Sequence, residues 1–201
     1  MLIILLWMLG FALLHSIMAD KRVKAWVGQY LGERFRHGWY RLLYNIIALL
    51  SLIPVFWYML SRAEVLYSVP QSVALVFRGI QAVGLIGLMI SLLQIDWLRF
   101  AGLRQAFAYL RGDSLPLATE QLKTDGIYAF VRHPLYLFSL LVLWFTPTLT
   151  DTGLFFNIAT TLYFVAGSVI EERRMIDYYG EEYMTYQERV PWLIPFFPTK
   201  G

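Results

Sequence analysis

The stretch Trp39–Leu60, WYRLLYNIIALLSLIPVFWYML, runs for 22 residues with a single charge, at Arg41. A helix needs about 20 such residues to cross ~30 Å of hydrocarbon. Four more apolar stretches accompany it, at Met1–Ala19, Ser72–Leu93, Leu135–Leu149 and Leu154–Ile170. The last two are separated only by Thr150, Asp151, Thr152 and Gly153, and read as a tight helical hairpin. At 15 and 17 residues they cross the membrane only if their helices extend beyond the apolar core. The first stretch has no basic segment ahead of it and a basic cluster behind, which reads as an uncleaved span rather than a signal peptide.

Composition points the same way. Of 201 residues, 58% are apolar and 15% charged, with a mean hydropathy of +0.54. A soluble domain carries roughly a quarter charged residues, and a chain this short cannot hide the excess apolar surface in a core. The expected fold is an all-α integral membrane protein of five transmembrane helices with a cytoplasmic C-terminal helical cap, one domain over residues 1–201. Cysteine is absent, which removes thiolate nucleophiles, disulfides and cysteine-held metals. Aromatic residues sit inside apolar runs rather than on a basic face, which sets nucleic acid aside as a partner.

Lysine and arginine set the expected orientation. Fifteen of the seventeen fall in the first connection, the third connection and the tail, against Arg62 in the second and Arg78 inside the third span. The positive-inside rule then places the N-terminus outside and the C-terminus in the cytoplasm.

Unusual polar chemistry gathers in two of the cytoplasmic stretches. The first is Gly126-Ile-Tyr128-Ala-Phe-Val-Arg132-His133-Pro134-Leu-Tyr136. Pro134 suits the first turn of a helix, leaving Arg132 and His133 at a helix N-terminus where an anion is favoured. That pair reads equally as an interfacial couple reaching lipid phosphates. The second runs from Glu171 and Glu172 through Arg173, Arg174 and Asp177 to Tyr186. Ser168, Glu172, Ile176, Tyr179, Tyr183 and Tyr186 recur at helical spacing, with Gly180 expected to end one helix before a short second one. Pro191, Pro195 and Pro198 close the chain irregularly. His15, inside the first span, is either a functional group or a hydrogen-bond partner for a neighbouring helix. Arg78, Gln81 and Asn45 raise the same question. Gly84, Gly87 and Ser91 form a small-residue face suited to close helix packing, and Pro54 is expected to kink the second span. No metal-binding spacing occurs, so no metal site is expected.

Taken together, the two stretches resemble the integral-membrane methyltransferase superfamily, which includes isoprenylcysteine carboxyl, phospholipid and thiol S-methyltransferases. The resemblance rests on G-I-Y-A-F-V-R-H-P-L-Y (126–136), E-E-R-R-M (171–175), Y-G-E-E-Y-M-T-Y (179–186) and V-P-W-L-I-P (190–195), and covers about residues 124–196. Met175 and Tyr179 depart mildly from it. The segment H-S-I-M-A-D-K-R-V-K-A-W (15–26), with R-x-x-Y-N at 41–45, is similar to the thiol methyltransferase branch and also to NnrU-like membrane proteins, some of which bind haem.

The resemblance implies an enzyme that uses S-adenosylmethionine and a lipophilic acceptor at the membrane, in contact with membrane lipids. A small hydrophobic thiol is the first expectation for the acceptor, with a prenylcysteine carboxylate or a lipid amine beside it. Arg132 or His133 is implied to take the cofactor carboxylate and Glu172, with Glu171, its ammonium. Tyr136, Tyr183 and Tyr186 offer ring faces to the sulfonium, and Tyr128 lies in the same cofactor-binding stretch. Arg173, Glu171 and His15 are the implied catalytic groups, with Arg78 and Arg174 as further cations for a thiolate. The alternative function is a haem-binding membrane isomerase or denitrification accessory, with His15 as an axial ligand.

Overall fold

Helix breakers divide the chain where the sequence places them. In the computed structural model, which describes residues 2–195, the order is α1 (Leu2–Ala19), α2 (Lys21–Leu31), α3 (Glu33–Arg62), β1 (Val65–Ser68), α4 (Gln71–Leu93), α5 (Trp97–Ala101) and α6 (Leu103–Arg111). A 3-10 turn (Gly126–Ala129), α7 (Pro134–Trp144), β2 (Thr148–Thr150), α8 (Asp151–Tyr179) and α9 (Glu181–Arg189) follow. Two compact units emerge, one of Met1–Ala63 with Asp96–Glu120, the other of Glu64–Ile95 with Gln121–Gly201. Pro198 and Lys200, counted above in the tail, lie outside the described residues.

In the first unit, α1, α2 and α6 pack on α3, which runs unbroken through Pro54. Asp20 separates α1 from α2, and its carboxylate accepts the Arg22 N–H at 2.7 Å as an N-cap. Gly102 joins α5 to α6 at φ +92, and a Cβ there would lie 2.4 Å from the Leu42 nitrogen. Only glycine meets both demands. Asn45 donates to the carbonyls of Phe100 (3.1 Å) and Ala101 (2.9 Å), closing the end of α5.

The second unit is built on α4 against α7. The small-residue face is the contact: Gly84, Gly87 and Ser91 are buried, and the Phe138 ring occupies the space a Gly87 side chain would need. Gln81 adds a hydrogen bond to the Val142 carbonyl at 2.9 Å.

The expected helical hairpin is corrected here. Pro147 withholds an N–H and disfavours helix at Thr146, so α7 stops at Trp144. The segment Thr148–Thr150, with β-branched threonines on either side of Leu149, then pairs antiparallel with Val65–Ser68, Ser68 facing Thr148 and Val65 facing Thr150. Thr150 caps α8 through the Gly153 N–H (3.0 Å), while Asp151 accepts the Glu64 N–H at 2.9 Å.

Among the described residues, three helices are long and apolar enough to cross a membrane: α3 (30 residues), α4 (23) and α8 (29). A fourth is reached if α1 and α2, bent by 60°, count as one span. The chain is thus a multi-pass membrane protein, with three or four spans by this measure where hydropathy alone led to five. The 11 residues of α7 extend about 16 Å, roughly half the hydrocarbon thickness.

Leucine at Gly87 must displace the Phe138 ring, and overpacking of this kind costs about 1–3 kcal/mol. The thermal midpoint in detergent, followed by circular dichroism, should fall for Gly87→Leu. Gly79→Leu, where a Cβ meets nothing within 4 Å, should leave it unchanged.

Candidate active site

Pro134 starts α7 and fixes Arg132 and His133 at its entrance, where they are only 8% and 7% exposed. Their backbone amides are engaged by the C-terminal tail. Arg132 N–H donates to the Pro191 carbonyl at 2.9 Å and His133 N–H to that of Trp192 at 3.2 Å. The Tyr136 and Leu137 amides turn back to the His133 carbonyl, at 3.1 and 3.0 Å. The tail therefore takes the backbone donors that the sequence offered to an anion.

The Arg132 side chain is equally committed. Its Nε donates to Glu172 Oε1 at 2.6 Å and its Nη2 to Oε2 at 3.3 Å, a forked pair with side chains 5% and 15% exposed. Nη1 donates to the carbonyls of Gln187 (2.9 Å) and Val190 (2.8 Å). Glu172 also accepts from Gln187 Nε2 at 2.9 Å and pairs with His133 Nε2 at 3.2 Å. Two carboxylate oxygens thus meet four donor atoms, which fills their lone-pair sites.

Glu171 is placed differently. Its side chain is 49% exposed, accepts the Tyr136 hydroxyl at 2.9 Å, and lies 3.7 Å from His133 Nδ1. The Tyr136 ring stacks on His133 (5.3 Å between centroids) and on Phe164 (4.6 Å). Within one patch, then, a saturated carboxylate sits beside an open one.

The tyrosines behind this patch form its support. Tyr183, Tyr186 and Val190 make a buried cluster, covered by Leu122, Met175, Ile176 and Tyr179. Gly180, at φ +61, ends α8 and lets α9 fold back, as the sequence suggested. The Tyr186 hydroxyl donates to the Tyr128 carbonyl at 2.5 Å, and Tyr128 reaches the Ser91 carbonyl at 3.4 Å. Burial, reinforced by the Glu171 charge, pushes the Tyr128 phenol up to about 12. Burial raises Tyr183 and Tyr186 as well, so all three hydroxyls stay protonated donors.

Tyr128, Arg132, His133, Tyr136, Glu171, Glu172, Tyr183 and Tyr186 are therefore joined in one network, across 40 residues of sequence between Arg132 and Glu172. Arg173 is exposed on α8 and Arg78 on α4. His15 belongs to the other unit, where its Nδ1 meets the Tyr44 hydroxyl at 3.0 Å and its ring stacks on Phe11. Two participants escaped the sequence reading. Gln187 lies one turn beyond Tyr183, a spacing that signalled its face. Trp192, inside the V-P-W-L-I-P motif, keeps a buried indole N–H with no hydrogen-bond partner among the described residues.

The phospholipid methyltransferase family matches residues 80–182, half of the chain, and its span takes in α4 from residue 80 onward, the Arg132–His133 entrance and the Glu171–Glu172 pair. The chain belongs to that family. It is 34% identical over 193 residues to a methanethiol S-methyltransferase of Crocosphaera subtropica, covering 95% of this chain and 73% of that one. Methanethiol S-methyltransferase 1 of Bradyrhizobium diazoefficiens is also 34% identical over 193 residues, covering 96% of this chain and 66% of its own length. Nurim of Sus scrofa is 31% identical over 172 residues, covering 81% and 63%. No solved structure matches. The protein is a membrane methyltransferase, and the family and these relatives favour methyl transfer over the haem-binding alternative.

Arg132→Lys keeps the charge of this methyltransferase but loses the fork. Lysine offers one ammonium in place of the forked donors, and a lost hydrogen bond to a charged group costs about 1.5–3 kcal/mol, so the detergent unfolding midpoint should drop. Arg174→Lys, on the exposed side of α8, should leave it in place.

Proposed function

We propose that this methyltransferase takes its methyl group from S-adenosylmethionine and passes it to a small hydrophobic thiol, the whole chain working as one membrane-embedded domain. The observation that carries the acceptor is the likeness, along nearly all of this chain, to relatives named methanethiol S-methyltransferase. The Lys and Arg distribution supports an outside N-terminus and a cytoplasmic C-terminus, which gives the site access to a cytoplasmic cofactor.

The residues present fit such a cofactor through their donor set. Glu171, half-exposed with lone pairs in hand, is the proposed partner of its ammonium. The buried Trp192 N–H, which has no acceptor among the described residues, is the proposed donor to its carboxylate or adenine. Arg132 and Glu172 saturate each other and act as positioning residues. They hold α8, the tail and the entrance of α7 in register, and so aim Glu171 and His133. Tyr183 and Tyr186 are proposed to shape the site from behind, because their rings are buried in the supporting cluster. Tyr136 orients the Glu171 carboxylate through its hydroxyl.

When bound, the cofactor supplies an electrophilic methyl group on a cationic sulfur. The chain's part is alignment and exclusion of water, since a displacement of this kind asks little covalent work of the protein. The acceptor thiol reacts as its thiolate, and the exposed Arg173, one residue past Glu172, is the proposed counter-charge. His15, held by Tyr44, is the proposed titratable group of the other unit.

Purified protein incubated with methyl-labelled S-adenosylmethionine and a panel of thiols, prenylcysteines and lipid amines tests the reading. Label should pass to small hydrophobic thiols. Transfer only to prenylcysteines or lipid amines overturns the acceptor, and no transfer at all overturns the reaction. In calorimetry, Glu171→Gln should weaken cofactor binding by about ten- to a hundredfold without changing thermal stability, and Trp192→Phe by about three- to tenfold. Glu172→Gln should instead lower stability first. Unchanged affinity in both Glu171→Gln and Trp192→Phe overturns the site.

A further inference from the structure

Of the motif at 15–26, the proposed reaction uses only His15. The remainder ends in Trp26, within α2. Val23, Trp26, Val27, Tyr30 and Leu31 recur along that helix at spacings of three and four, which places them on one apolar face. Trp26, Tyr30 and Leu31 are exposed by 56%, 67% and 60%, and the Trp26 and Tyr30 rings lie 4.8 Å apart. The packed side is one flank of this face, where Val23, Lys24 and Val27 are half-buried, whereas Ala25 and Gln29, on the side away from the apolar residues, are exposed. Gly28 is buried, and a Cβ there would run into the Glu33 carboxylate and the Arg36 side chain at the start of α3. Trp26, Tyr30 and Leu31 thus stay open where a helix docked on a soluble core would turn its whole apolar stripe inward.

Charge and chain direction add to the pattern. Within α2, Lys21, Arg22 and Lys24 occupy the first turn and no acidic residue follows. The helix leaves the apolar α1 at a 60° bend, set by the extended backbone of Asp20 and its bond to the Arg22 amide. A basic amphipathic helix that turns away from an apolar helix, with a Trp–Tyr pair on its open face, has the chemistry of the membrane–water boundary.

We infer that α2 lies in the membrane interface, with Trp26, Tyr30 and Leu31 set among the upper acyl chains and Lys21, Arg22 and Lys24 engaging anionic lipid headgroups. The occupant of the open face is the lipid itself, and the docking responds to lipid charge. The bend at Asp20 fixes the height of α2 at the end of α1, where headgroups begin. This docking involves neither the methyl donor nor the acceptor and is independent of the proposed reaction.

The absence of cysteine makes the test direct, because one introduced residue carries a spin label without competition. Full-length Ala25→Cys, Trp26→Cys, Gln29→Cys and Tyr30→Cys proteins would be placed in phosphatidylcholine vesicles with and without phosphatidylglycerol. Labels at 26 and 30 should be accessible to oxygen and protected from a water-soluble nickel chelate, just below the phosphates. Labels at 25 and 29 should show the opposite. Removing phosphatidylglycerol should raise the mobile population. Lys21→Gln, Arg22→Gln and Lys24→Gln should each cut the docked-to-mobile ratio about fivefold. Should Trp26→Cys not fold, the contrast between positions 29 and 30 carries the test. Equal nickel access at all positions, labels at the bilayer centre, indifference to lipid charge, or dipolar broadening between labels on two copies each overturns the inference.

Discussion

A guanidinium and a carboxylate share a nearly dry environment where α7 begins, and the rest of the second unit is arranged around them. Neither Arg132 nor Glu172 tolerates burial alone, because an unpaired charge in low dielectric is costly. The forked bonds between them, joined by Gln187, His133 and two tail carbonyls, satisfy both groups at once. Arginine at the positive end of a helix is unfavourable in isolation. Here the conflict is resolved by a carboxylate delivered from another helix and by carbonyls delivered from the chain end. That resolution ties three remote segments to one point.

The division of labour between two adjacent glutamates follows. Neighbours on a helix point about 100° apart, so Glu172 turns into the unit while Glu171 stays at its edge. One becomes an anchor, and the other keeps acceptor capacity for a cation. His133 stands between them, with a ring nitrogen toward each carboxylate and its ring stacked on Tyr136. A buried tyrosine cluster behind them keeps its hydroxyls protonated and gives the patch a rigid floor.

Close approach of α4 and α7 has a separate cause. Lipid tails compete equally for apolar side chains, so helices in a membrane gain from backbone proximity rather than from hydrophobic burial. Gly84 and Gly87 allow that proximity, with the Val142 side chain against the first and the Phe138 ring against the second. The C-cap of α4 is Gln94, whose side-chain Oε1 accepts the Ile127 N–H at 2.9 Å and so anchors the turn leading to Arg132. Helix packing and site geometry are thereby linked through one side chain.

Membrane residence, the helical class, the small-residue contact face and the two polar stretches were all legible in the sequence, because each depends on local composition or on helical period. The break at Gly180 was legible for the same reason. Family membership rested on motifs whose spacing survives in one dimension. Other features depended on partners far away along the chain. The length of α7 was misread because Pro147 and the strand partner Val65–Ser68 compete with apolar character. The roles of Glu171 and Glu172 could not be separated by residue type. The tail's claim on the Arg132 and His133 amides was likewise invisible, since a backbone carbonyl has no sequence signature. Periodicity reports which side chains share a face, whereas only the folded chain decides which donors reach which acceptors first.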